Sequence, residues 1–234
     1  FGECLVYWKP LNIVSGDFFW ATQVGRYKLL TAADCTGHGV PGAFMSMLGV
    51  STLNDIAAQK DIEGADITAS SVLEELRSKI IAALRQSGPQ RDAQDGIDMA
   101  LCIIDIQQMQ IQYAGANRPL WLVRDGKLTE YKPDKMPVGY HPTKDTPFTN
   151  NTATIQKGDT IYMASDGLSD QFGGSGNKPK FGAQQLRTLL ESIATKSFDE
   201  QAVLIENTMD EWRRHPDGTK EAQIDDQILV GIRI

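Results

Sequence analysis

The order in which strand-like and helix-like segments follow one another most restricts the folds open to this chain. Phe18–Val24 and residues 27–33 read as strands, joined by a tight hairpin turn at Gly25-Arg26. The glycine-rich stretch Gly37-His38-Gly39-Val40-Pro41-Gly42 then interrupts all periodicity. Pro41 suits a first helical turn, and over residues 43–58 Phe44, Met47, Leu48, Leu53, Ile56 and Ala57 recur at helical spacing. Residues 59–68 read as a polar connection. Thr68 or Ser70 can cap a second helix with Val72, Leu73, Leu76, Ile80, Ala83 and Leu84 on one face. Strands return after a polar loop at 87–96. Residues 99–106 form a nearly continuous apolar run of the kind buried on both faces, and 4–8, 111–114, Leu120–Arg124, Lys127–Tyr131, Thr160–Ala164 and 228–232 complete the set. Residues 132–150 read as a long surface connection, and 183–194 and 199–213 as amphipathic helices. Strand clusters alternating with helix pairs favour an antiparallel α+β layered fold over a doubly wound sheet, in one domain spanning 1–234.

Composition removes several classes of function. With 23 Lys and Arg against 30 Asp and Glu, the 234-residue chain carries a net charge of −7 and no basic cluster. That is a poor match for nucleic acid, whose binding depends on neutralising phosphates. No apolar run approaches the ~20 residues that a membrane span requires. Three cysteines (Cys4, Cys35, Cys102) and three histidines (His38, His141, His215) are scattered without zinc-ligand spacing, and the odd cysteine count points to a reducing, cytoplasmic compartment. A metal in this protein would therefore be a hard cation on oxygen ligands. Residue 1 is Phe and no signal peptide precedes the first strand, so the chain reads as excised from a longer protein.

Four places set Asp at the edge of an expected strand beside Gly or another Asp: Ser15-Gly16-Asp17, Asp34-Cys35-Thr36-Gly37-His38-Gly39, Ser165-Asp166-Gly167 and Asp225-Asp226. Each alone is ordinary turn punctuation. Together they can converge, and convergent carboxylates repel unless a cation lies among them. The order of these motifs, with Gly158-Asp159 and Tyr113-Ala114-Gly115-Ala116-Asn117-Arg118-Pro119, resembles the metal-dependent serine/threonine phosphatases of the PPM (protein phosphatase 2C-like) superfamily. The closest branch is the bacterial SpoIIE/sigma-regulator type. The resemblance runs from about Lys9 to Ile232.

The resemblance implies a four-layer α/β/β/α sandwich with two central antiparallel sheets and a binuclear Mn²⁺ or Mg²⁺ site at one end. Carried over residue by residue, Asp17, Asp34 and the backbone carbonyl of Cys35 hold one ion. Asp166 and Asp225 hold the second, with Asp226 as the alternative because neighbouring strand residues face opposite sides. Asp98 could reach a third, weakly held ion, or be a plain strand-edge carboxylate. The implied chemistry is in-line attack of a water bridging the ions on a phosphoserine or phosphothreonine. His38 is a candidate general acid, its alternative a backbone hydrogen bond within the turn. Ser15 and Ser165 read as turn braces. Lys9 is the nearest cation upstream of Asp17, and Arg118 reads as a solvated strand end or a substrate contact. The Cys-x5-Arg pattern of thiol phosphatases is absent.

The implied substrate is a phosphorylated regulatory protein of the anti-anti-sigma (STAS) type. An upstream sensor domain would shift the two helices at about 41–59 and 69–87, unless they merely cover the sheet. Residues 172–179 would form a flap near Asp166, and a helix-mediated homodimer is possible. Two rival readings are a phosphatase-like binding module without chemistry and a calcium-stabilised structural domain, the latter lacking the contiguous Asp-x-Asp-x-Asp loop it needs.

Overall fold

The alternation of two-sided apolar strands with one-sided helices gives a stack of four layers. The computed structural model describes residues 3–64, 67–86, 95–142, 145–174 and 179–234. Within them the order is β1 (Cys4–Lys9), β2 (Phe18–Val24), β3 (Tyr27–Cys35), α1 (Gly39–Glu63), α2 (Ala69–Ala83), β4 (Gly96–Asp105), β5 (Gln110–Ala116), β6 (Leu120–Arg124), β7 (Lys127–Tyr131), β8 (Val138–Gly139), β9 (Asn151–Thr154), β10 (Thr160–Ala164), α3 (Gly167–Asp170), α4 (Gly182–Ile193), α5 (Phe198–Trp212) and β11 (Gln227–Arg233). One sheet runs β1-β11-β10-β6-β7. The other runs β2-β3-β4-β5-β9, with β8 paired to β4. Paired strands within both sheets are antiparallel.

The apolar run in β4 is long because both of its faces are covered. Leu101 and Ile103 pack outward with α1 and α2, in a cluster with Leu53, Ile56, Leu73, Leu76 and Ile80. Ala100, Cys102 and Ile104 point inward, where Leu30, Ile161, Met163, Ile228 and Val230 fill the space between the sheets. A third cluster joins the outer face of the other sheet (Tyr162, Leu229) to Leu186, Leu190 and Ile205 of α4 and α5. Burying one such leucine or isoleucine is worth roughly 1.5–3 kcal/mol, so each helix is held mainly by its packed face.

Several boundaries differ from the sequence reading. α1 begins at Gly39 and runs to Glu63, so the expected connection at 59–68 is partly helix. Its buried face carries Met45, Leu53, Ile56 and Ala57, whereas Phe44 and Met47 are exposed together with Val40. The apolar spacing fitted two faces, and packing against Phe18 and Ile97 at Gly49 decided between them. α2 starts at the expected Thr68 cap, which forms a capping box with Ser71. The 132–150 segment is more than a surface connection, since Met136, Val138 and Phe148 enter the core and β8 extends the sheet. The expected flap at 172–179 lies partly outside the described residues, as does most of the expected 87–96 loop. Among the described residues no helix is long and apolar enough to cross a membrane.

Candidate functional site

At one end of the sandwich the chain crosses itself with almost no side chains in the way. A Cβ on Gly42 would lie 2.2 Å from the Gly37 carbonyl oxygen and 2.8 Å from the Gly16 Cα, so only glycine lets these turns touch. This contact sets the turn before β2 against the β3–α1 turn, and so places Asp17 beside Asp34. Asp17 is held at the head of β2, where Ser15 Oγ accepts its backbone N–H at 3.0 Å and the Trp8 indole N–H at 3.3 Å. Ser15 is thus the brace expected of it. Ser165 similarly ties β10 to β11 by accepting the Ile228 N–H at 3.2 Å.

Register brings the next acids in. β3 pairs with β4 so that Asp34 stands directly opposite Asp98. Asp98 is therefore the third residue of β4, inside the strand rather than before it. Asp166 follows the end of β10, and Asp225 lies two residues before β11, the strand beside β10. Asp34, Cys35, Thr36, Gly37, His38, Asp98, Arg118, Asp166 and Asp225 line a single cleft of about 300 Å³. The Cys35 side chain packs into the core with α1 and α2, so the cleft meets its main chain. Burial pushes the Cys35 thiol up, which keeps it protonated.

Asp226 has a different place from its neighbour. Its two carboxylate oxygens accept the backbone N–H groups of Leu11 at 2.7 Å and Gly16 at 2.8 Å, and it is buried. It fastens the segment leading to Asp17. Lys9 also lies outside the cleft lining, paired with Glu206 of α5. His38 is exposed at the cleft rim and receives a hydrogen bond at Nδ1 from the Asn12 side-chain amide at 3.1 Å.

Arg118, read from sequence as a solvated strand end or a substrate contact, enters the cleft as a cation among the acids. Its Nη2 lies 2.8 Å from Asp34 Oδ2, 2.6 Å from Asp166 Oδ2 and 3.3 Å from Asp98 Oδ2. Asn117, at φ 56°, turns the chain so that its amide reaches Asp98 Oδ1 at 2.8 Å while Arg118 enters the cleft. An Asn ahead of the arginine, able to take this left-handed turn, was the only sequence hint.

The electrostatics are those of too many acids for one guanidinium. Burial, reinforced by Asp226, Asp225 and Asp166, raises the proton affinity of Asp17 despite a hydrogen bond with Ser165. Burial and then Asp17 raise that of Asp34 further than Arg118 can lower it. Asp98 and Asp225 are raised by burial too. Asp17 Oδ2 is buried without a hydrogen-bond partner. Such an orphaned carboxylate oxygen, in an all-oxygen donor set with the Cys35 carbonyl nearby, suits a hard divalent cation. As the side chains stand, no three Asp, Glu, His or Cys groups among the described residues are gathered closely enough to ligate one ion. Asp34, Asp98 and Asp166 are instead arranged around Arg118.

Comparison with known proteins identifies the family and the fold. Residues 25–234 match the family described as Stage II sporulation protein E (SpoIIE). The SiaA-PP2C domain of Pseudomonas aeruginosa superposes with a TM-score of 0.85 at 26% identity, over 99% of this chain and 85% of that one. The PP2C phosphatase domain of SpoIIE from Bacillus subtilis, solved with a fragment of its regulatory domain, gives 0.76 at 18% identity, covering 99% of this chain and 63% of that one. The RsbU and RsbW domains of a Mycobacterium tuberculosis protein give 0.73 at 20%, covering 99% and 59%. This chain thus spans less than two thirds of the last two. No curated protein matches the sequence.

Proposed function

The chain belongs to the SpoIIE family of PP2C-type serine/threonine phosphatases, and we propose that it uses divalent cations to hydrolyse phosphoserine or phosphothreonine on a regulatory protein. The observation that carries this reading is the convergence of Asp34, Asp98, Asp166 and Asp225 in one cleft, with Asp17 buried beside them and, among the described residues, Arg118 as the guanidinium they share. Asp17, Asp34 and the Cys35 carbonyl would hold one Mn²⁺ or Mg²⁺, Asp166 and Asp225 a second, and Asp98 would reach a third. When bound, such ions acidify water and neutralise phosphoryl oxygens.

The chain's own groups supply position. The glycine crossing fixes Asp17 against Asp34, and the strand register fixes Asp34 against Asp98. His38 lies at the cleft rim, where as imidazolium it would donate a proton to the leaving serine or threonine oxygen. The shallow, polar cleft suits a phosphorylated side chain presented by another protein more than a small apolar ligand. Assignment of that partner to the STAS class rests on the family likeness alone.

Control by an upstream sensor domain is supported by α1. It starts directly after the cleft residue His38 without a side-chain cap, and it exposes Val40, Phe44 and Met47 at helical spacing. A contact on that stripe would pull on the Asp34–His38 turn. A binding module without chemistry is favoured only by the presence of Arg118 in the cleft, and the complete carboxylate set speaks against it. Release of inorganic phosphate from phosphoserine, phosphothreonine and phosphotyrosine proteins, with Mn²⁺ or with EDTA, tests the reading. Turnover of the first two in Mn²⁺ and none in EDTA is expected; no turnover of any phosphoprotein with Mn²⁺ or Mg²⁺ would overturn it.

A further inference from the structure

The acid cleft is occupied by part of the chain itself. One nitrogen, Arg118 Nη2, meets carboxylates from the end of β3, from inside β4 and from the turn after β10, at 2.8, 3.3 and 2.6 Å. A guanidinium built into a lasting ion pair normally presents two nitrogens to one carboxylate. Arg124 does so at the far end of β6, with Nε at 2.9 Å and Nη2 at 2.6 Å from the two oxygens of Asp159. Arg118 instead serves three acids through a single terminal nitrogen, and its buried Nε has no hydrogen-bond partner. That is the geometry of an ion among ligands.

The backbone beneath Arg118 is pinned while its side chain is not. The Asn117 N–H donates to the Asp134 carbonyl at 2.9 Å, and the Arg118 carbonyl accepts the Tyr113 hydroxyl at 2.7 Å. Among the described residues, swinging the guanidinium out therefore breaks only its hydrogen bonds to the three acids. On the other side of the site, Asp17 has no bond to Arg118 and keeps an unpartnered oxygen.

We propose that Arg118 is a placeholder cation: it pairs with Asp34, Asp98 and Asp166 in the metal-free protein, and a divalent ion enters among these acids only by displacing it. This rests on the metal-dependent reading above but concerns binding rather than turnover. Asp34, which shares an ion with Asp17, and Asp166 are both held by Arg118, so either ion meets this competition; the position around Asp166, where the guanidinium is closest at 2.6 Å, loads at the higher ion concentration. The displaced guanidinium, tethered at the cleft, is then free to meet the substrate phosphate.

Binding of Mn²⁺ to the metal-depleted chain, followed by calorimetry and by the spin-resonance signal of free Mn²⁺, tests this without any substrate. In Arg118→Met the weaker binding step should tighten on the order of tenfold or more, because the competitor is gone. The same variant should melt lower without metal and recover with Mn²⁺. Arg118→Lys, which keeps the charge on a shorter fork-free side chain, should tighten less and serves if the Met variant does not fold. Unchanged or weaker Mn²⁺ binding in whichever variant folds would overturn the proposal. Tightened binding in a chain that turns over no phosphoprotein would sustain it while removing the phosphatase reading; turnover with unaltered binding would do the reverse.

Discussion

The two ends of β10 carry the same two residue types and put them to opposite uses. At its start, Asp159 is 1% exposed, accepts both nitrogens of the Arg124 fork and the Gln156 N–H at 2.8 Å, and among the described residues no other carboxylate hydrogen-bonds that arginine. At its end, Asp166 shares one nitrogen of Arg118 with Asp34 and Asp98, and Asp17 and Asp225 stand near without a cation of their own. β6 lies alongside β10 with an arginine at its last position and another two residues before its first. The pairing of the strands thus delivers one arginine to each end. What differs is stoichiometry: a closed pair stabilises the fold, whereas an excess of buried acid costs stability until a cation offsets it. Charge balance, rather than the presence of Asp beside Gly, separates the closed pair at Asp159 from the carboxylates we propose as ion ligands.

The largest expected effect breaks the comparison at both ends. Asp166→Ala should lower Mn²⁺-dependent turnover by about 10³-fold, some 4 kcal/mol of barrier, with little change in the melting temperature of the metal-free chain. Asp159→Ala should do the opposite, costing about 2–3 kcal/mol of stability by orphaning Arg124 and the Gln156 N–H while sparing turnover per folded molecule. Paired kinetics and urea unfolding of the two variants check this; the same pattern for both would mean the two ends do not differ as described.

A smaller effect comes from pH. Asp17 and Asp34 hold their protons above the ordinary carboxylate range in the metal-free fold. Between that range and their raised values the folded chain binds more protons than the unfolded one, so stability falls as pH rises through neutrality. Thermal melts in EDTA should therefore decline with rising pH, and Asp34→Asn should flatten the decline. A slope identical in the variant would show that the strain lies elsewhere.

Much of the fold was legible in sequence because it depends on local pattern. The two-sided apolar run of β4, the Thr68 cap and the helix pairs all follow from residues near one another. Asp17, Asp34, Asp166 and Asp225 could be singled out because glycine and strand ends mark sharp, rigid turns. What sequence left open depends on facing and register. Asp225 and Asp226 differ only in which side they present, and two backbone N–H groups some two hundred residues away claim Asp226. Arg118 was left between a solvated strand end and a substrate contact because nothing local shows that β10, β3 and β4 bring three acids to it. The exposed face of α1 was misjudged for a similar reason: its apolar residues are nearly continuous, so spacing alone did not choose a side.

The account's central claim is that the acid end of the sandwich is a divalent-cation site that drives phosphoester hydrolysis. Its most direct test is phosphate release from one phosphothreonine protein by the metal-depleted chain as Mn²⁺ is titrated in, with Asp34→Ala alongside. Activity absent at zero Mn²⁺, rising to saturation in the wild type and staying near background in Asp34→Ala is the predicted result. Activity that ignores added Mn²⁺, or an Asp34→Ala curve that overlays the wild type, would contradict it.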